Sequence, residues 1–151
     1  MDKEKIILVV EDSDLQREIC IHQLKDLGFK NVSGATNGLQ AMAHLEENPV
    51  DLVISDLEMP ESDGLDLLTK IKATPKLKHI PFLLLTVYEH EESNTKMIEL
   101  GAFDFLVKPS TPEALNEKLE FIFENKPKKT NRRASSRREG ERRIEENDRR
   151  G

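Results

Sequence analysis

Apolar residues in this chain gather in short runs that end at a charged or hydroxyl side chain. Ile6-Ile-Leu-Val-Val10 runs into Glu11-Asp12, and Leu52-Val-Ile-Ser55 closes on Asp56. Ile80 to Leu85 ends in Thr86, and Phe103 to Val107 ends in Lys108-Pro109. Short, nearly continuous apolar runs predict strands buried on both faces of a parallel sheet; the Asp56 run predicts one over Asp51–Ser55. A weaker run, Asn31 to Ala35, adds one more. Between the runs the spacing turns helical. Ser13 to Leu27 carries Leu15, Ile19, Leu24 and Leu27 as its expected inner face, with Ser13 or Asp14 as cap and Gly28 as stop. Asn37 caps a second helix with Leu39, Met42, Ala43 and Leu45 inward, stopping near Asn48-Pro49. A third runs from about Asp63 to Ala73 on Leu65, Leu68 and Ile71, and a fourth from about Ser93 to Leu100, ending at Gly101. Thr111-Pro-Glu starts the last, to about Glu124, with Thr111 as N-cap and Pro112 at the first helical position.

Five strands alternating with five helices predict a doubly wound α/β fold, a parallel sheet covered on both faces. Right-handed crossovers permit the flavodoxin-like strand order 2-1-3-4-5, although periodicity alone does not select it. In such a sheet the carboxyl ends of the strands open onto one edge, where ligands bind. Glu11, Asp12, Asp56, Thr86 and Lys108 are then expected to converge.

Charge divides the 151 residues in two. Residues 1–125 hold 12 Lys+Arg against 24 Asp+Glu, a net of −12, and residues 126–151 hold 11 against 5, a net of +6. An acidic globule over 1–125 is expected to carry a basic tail over 126–151. Apolar side chains in 127–151 are only Ala134 and Ile144, too few to offset the entropy of ordering it. Cys20 is the only cysteine, so no internal disulfide can form, which fits a reducing compartment. Between Ile19 and Ile21 it reads as a packing residue. No stretch approaches the roughly 20 apolar residues of a membrane span, and the N-terminus lacks a signal-peptide pattern. A cytoplasmic protein is expected. His22, His44, His79 and His90 are scattered without metal-ligand spacing and read as surface residues.

Taken together, the strand-end groups, Met59-Pro60, Asp63-Gly64 and Lys108-Pro109 resemble the receiver domain of two-component response regulators, of the CheY-like single-domain type. The resemblance covers about residues 4–124 and implies the 2-1-3-4-5 order. It makes Asp56 the acceptor of a phosphoryl group, with Glu11, Asp12, Asp56 and the backbone carbonyl of Glu58 around a magnesium ion. Lys108 would pair with a phosphoryl oxygen, and Thr86 would bond another. Phe105 matches the aromatic position that turns inward when that hydroxyl moves, and Lys108-Pro109 falls where receivers carry a cis peptide. The chemistry agrees: a carboxylate attacks phosphorus without a base, magnesium prefers a few carboxylates, and an ammonium serves as a point charge for phosphate. The implied partners are a sensor histidine kinase or phosphotransfer protein and a downstream protein target. The expected chain is a signalling protein rather than an enzyme, beyond its own phosphotransfer and dephosphorylation. Glu11 stands where many receivers have aspartate, Val87 where a smaller residue is commoner, and Tyr88 where it would shield the acyl phosphate.

Two other classes fit less well. A phosphatase of the haloacid dehalogenase type places a second aspartate two residues after its nucleophile, where this chain has Glu58. A flavin-binding module needs a Ser/Thr/Gly-rich phosphate loop after the first strand, and Glu11-Asp12-Ser-Asp14 would repel a phosphate.

The tail leaves the output open. Arginine pairs recur at 132–133, 137–138, 142–143 and 149–150. Steps of five rotate successive pairs by about 140° on a helix, so they form no single basic face for a membrane. The bland reading is a solvated tail. The sharper ones are weak nucleic-acid binding through phosphate charge, folding back onto the acidic globule, or the start of a longer effector. For the last, Arg133 to Arg137 and Arg138 to Arg142 resemble the RxxxR signature of cyclic-di-GMP-binding PilZ domains.

Overall fold

The structure is a computed structural model that describes residues 2–57, 64–87 and 92–124. The chain runs β1 (Ile6–Val10), α1 (Asp14–Asp26), β2 (Asn31–Ala35), α2 (Gly38–Glu47), β3 (Leu52–Asp56), α3 (Gly64–Ala73), β4 (Phe82–Thr86), α4 (Glu92–Glu99), β5 (Asp104–Val107) and α5 (Pro112–Glu124). All strand pairs are parallel, in the order β2-β1-β3-β4-β5. The expected fold class and order therefore hold. β3 and β4 are buried along their whole length, as the continuous apolar runs required.

Alternation along the strands divides the core. Leu8, Val10, Val53, Phe82 and Leu84 pack on one face against Ala41 and Leu45 of α2, Leu67, Leu68 and Ile71 of α3, and Met97 of α4. Ile7, Val9, Leu52, Ile54, Leu83, Leu85 and Leu106 pack on the other against Cys20 and Leu24 of α1 and Leu115 and Leu119 of α5. Burying each such aliphatic side chain contributes about 1.5–3 kcal/mol. Cys20 is buried among them, the packing role expected of it.

Local signals placed the helix ends. Ser13 Oγ accepts from the Gln16 N–H at 3.2 Å, Asn37 Oδ1 from the Gln40 N–H at 2.8 Å, and Thr111 Oγ1 from the Ala114 N–H at 3.0 Å. Gly28 (φ 107°) and Gly101 (φ 120°) follow α1 and α4 in the left-handed region that glycine enters without steric cost. The Lys108–Pro109 peptide is cis.

Two helix faces differ from expectation. Leu15 and Ile19 are 71% and 49% exposed, while Cys20 and Leu24 are buried. α1 is rotated because its first inward position belongs to Arg17, whose side chain is only 14% exposed. In α2, Leu39 and Ala43 lie outside, and Gly38, Ala41 and Leu45 lie inside, the small residues facing the sheet. Strand limits shift too. Asp51 precedes β3, where its Oδ2 accepts the Ile6 N–H at 2.8 Å, and Asp56 is the last residue of β3, paired with Leu85. β4 starts at Phe82 rather than Ile80, and β5 at Asp104 rather than Phe103. The start of α3 expected at Asp63, the Glu58 carbonyl, Tyr88, His90 and the tail over 126–151 lie outside the described residues.

Candidate functional site

The chain leaves β1 to one side for β2 and then crosses to β3 on the other. That reversal opens a crevice beyond the strand ends. Glu11 and Asp12 follow β1 at this point, and Asp56 ends β3 beside it. Carboxylate oxygens of Glu11, Asp12 and Asp56 all lie within 4.8 Å of one another. Glu11 and Asp56 are 3% and 8% exposed, and Asp12 is exposed.

Lys108 reaches the same point from β5. Its Nζ lies 3.2 Å from Glu11 Oε1 and 3.2 Å from Asp56 Oδ1, and it donates to Gln16 Oε1 at 3.3 Å. The Lys108 N–H donates to the Thr86 carbonyl at 2.7 Å, which ties the lysine to the end of β4. Thr86 itself is buried. Phe105 is half-buried and packs against the core shared with α2, α3 and α4. Expectation and structure thus agree that Glu11, Asp12, Asp56 and Lys108 meet, with Thr86 at the same edge.

Backbone donors complete the acid environments. The Leu57 N–H donates to Asp56 Oδ1 at 2.9 Å, and the Ser13 N–H to Glu11 Oε2 at 3.2 Å. Even so, burial pushes the Asp56 carboxyl up, with a smaller push from Asp12, against the pull of Lys108 and the Leu57 N–H. Burial and then the Asp56 charge push Glu11 up as well. For Lys108, burial acts to lower the ammonium, but Asp56 and Glu11 together carry it above the usual lysine value. The lysine therefore stays charged, and one cation faces three clustered acids.

That surplus of negative charge, carried by hard oxygens, is the donor set a divalent ion such as magnesium takes. The residues fit the ion that the resemblance implies. Gly64, at the start of α3, packs directly behind Asp56: a Cβ there would lie 2.6 Å from the Asp56 carbonyl oxygen. Sequence reading did not find Gln16 or Arg17. Neither residue type signals a site at that spacing, and only the approach of α1 to β5 brings Gln16 to Lys108.

A family model described as the response regulator receiver domain matches residues 7–120. The chain belongs to the response regulator receiver family. This receiver is 39% identical over 124 residues to the chemotaxis protein CheY-3 of Vibrio cholerae, covering 82% of this chain and 95% of that protein. It is 36% identical over 118 residues to the chemotaxis protein CheY of Pseudomonas aeruginosa, covering 78% and 95%. Among solved structures, the receiver superimposes on the chemotaxis response regulator CheY4 of Vibrio cholerae with a TM-score of 0.74 at 31% identity, covering 80% of this chain and 99% of that one. The signal receiver domain of a signal transduction histidine kinase from Syntrophus aciditrophicus gives 0.73 at 34%, covering 87% and 98%. Among the described residues, no helix of the receiver is long and apolar enough to cross a membrane.

Proposed function

We propose that Asp56 of this response regulator accepts a phosphoryl group from a phosphohistidine on a sensor histidine kinase or phosphotransfer protein. The observation that carries the reading is the meeting of Glu11, Asp12 and Asp56 within 4.8 Å, with Lys108 Nζ 3.2 Å from Asp56 Oδ1. An Asp56 oxygen attacks phosphorus, the bond from phosphorus to the imidazole nitrogen breaks, and the imidazole leaves with the electron pair. Lys108 moves from Asp56 to an incoming phosphoryl oxygen as a point charge, and Glu11 keeps it at the pocket. Glu11, Asp12 and Asp56, with the Glu58 backbone carbonyl that the family resemblance adds, would hold magnesium. When bound, that ion offsets the repulsion between the carboxylates and the anionic donor.

Thr86 then bonds a phosphoryl oxygen, and Phe105 repacks in response. The face of α4, β5 and α5 is thereby altered for a downstream protein, a population shift driven by a local charge. Catalysis is confined to the protein's own phosphotransfer and dephosphorylation. Residues 1–125 act as the receiver, and residues 126–151 as a basic tail dispensable for phosphotransfer.

Incubation with acetyl phosphate and magnesium should add one phosphoryl group, stable to acid and labile to base, seen by intact mass. Asp56→Ala should remove it with the circular dichroism spectrum unchanged. Labelling that survives this substitution refutes the assignment.

A further inference from the structure

The face that α1 turns to the sheet begins with Arg17 and continues through Cys20 and Leu24. An arginine occupies such a place only where its donors find acceptors. Nη1 of Arg17 donates to the backbone carbonyl of Glu11 at 2.8 Å, and Nη2 meets Asp14 Oδ1 at 2.5 Å. Its stem lies over β2 at Gly34. A Cβ on that glycine would stand 3.0 Å from Arg17 Cδ, 3.4 Å from Arg17 Cγ and 3.2 Å from Ile21 Cδ1. The glycine thus leaves the channel through which the side chain reaches Glu11.

The atom it reaches matters. The Glu11 carbonyl belongs to the peptide that joins Glu11 to Asp12, and a peptide is planar. The Glu11 N–H is already held by the Ala35 carbonyl at 3.0 Å. That N–H lies in the preceding peptide and Arg17 holds the following one, so both peptides flanking the Glu11 Cα are tethered and the unit leading into Asp12 is fixed at its carbonyl. Asp14 balances the guanidinium charge, so the arginine supplies position more than it opposes a cation.

We propose that Arg17, admitted by Gly34, is a positioning residue for the acidic pocket, and that it sets the affinity for a divalent cation by fixing the Glu11–Asp12 peptide. This inference rests on the reading that these carboxylates hold such an ion. Groups that orient ligands from behind change metal affinity by about 10–100-fold when removed.

The test is calorimetric titration of the full chain with magnesium chloride, beside the rise in melting temperature that magnesium produces. Arg17→Met should weaken binding about tenfold and shrink the thermal shift. Arg17→Lys should restore part of the affinity, since an ammonium still donates once to the Glu11 carbonyl. Gly34→Val, which crowds the stem and leaves Arg17 in place, should also weaken binding, and should weaken it no further in an Arg17→Met background. If Arg17→Met does not fold, Gly34→Val and Arg17→Lys decide the matter. Wild-type affinity in folded Arg17→Met, wild-type affinity in Gly34→Val, or full additivity of the two overturns the inference alone. Absence of magnesium binding by the unsubstituted chain overturns the reading of the pocket together with it.

Discussion

Two buried aspartates stand at opposite ends of the sheet in different company. Asp104 opens β5, where Oδ2 meets Lys118 Nζ at 2.7 Å and Oδ1 accepts the Phe105 N–H at 2.8 Å. Asp56 closes β3, where one ammonium at 3.2 Å serves both it and Glu11, and Asp12 completes the cluster. The first carboxylate is matched by a close cation and holds α5 to the sheet. The second shares its cation and sits in surplus negative charge. Residue type and burial are alike, so the ratio of acids to cations is what separates the two aspartates.

Asp56→Asn breaks the comparison most sharply: acetyl phosphate labelling should fall to background by intact mass, whereas Asp104→Asn should remain labelled. Magnesium comes next. At a concentration of a hundred times Kd it should stabilise the wild type by about 2.7 kcal/mol through linkage. Denaturant titration should show most of that gain lost in Asp56→Asn and kept in Asp104→Asn.

Lys118→Met should destabilise by roughly 2 kcal/mol. Breaking a buried pair costs about 3–5 kcal/mol, less here because Lys118 is 24% exposed. Metal-free Asp56→Asn should move the other way and gain stability, because burial disfavours the Asp56 carboxylate. A loss of stability in both variants would remove the distinction between the two aspartates. The sign extends to pH. Burial raises Asp56 and Glu11 in the folded state, so the native protein binds more protons than the unfolded chain above the usual carboxylate range. Their contribution is complete below that range and is lost as pH rises through the elevated folded values. The advantage of metal-free Asp56→Asn over wild type should therefore widen as pH rises above the usual carboxylate range.

The smallest effect concerns how far the pocket's charge reaches. Burial, and after it the Glu11 charge, push the Cys20 thiol up to about 12. A thiol-specific disulfide reagent at pH 8 should modify native Cys20 far more slowly than the unfolded chain. Glu11→Gln should raise the native rate only slightly.

Asp104 also shows what the chain alone left hidden. It lies in a run read as a strand, yet nothing local pairs it with Lys118, 14 residues on. Arg17 is the stronger case. Its charge interrupted the apolar stripe of α1, so Leu15 and Ile19 stood as the inner face, and both proved exposed. A guanidinium becomes an inward residue only once Glu11 offers a carbonyl, and that acceptor comes from another element. In α2 the same limit applies to Leu39, displaced outward by the small Gly38 and Ala41.

The sequence by itself determined where the strands fall, the caps of the second and fifth helices and the order of the strand-end groups. Short continuous apolar runs bounded by turn residues suit buried strands, Asn37 and Thr111 satisfy amides three residues on, and each run ends on the group it delivers. These are local facts, complete within a few residues. Only the tertiary structure decided which way each helix turned, that Asp104 was matched by Lys118, and that Lys108 was shared between Glu11 and Asp56. Those outcomes depend on burial and on distances between residues far apart in the chain, where solvation and charge balance act across the whole fold.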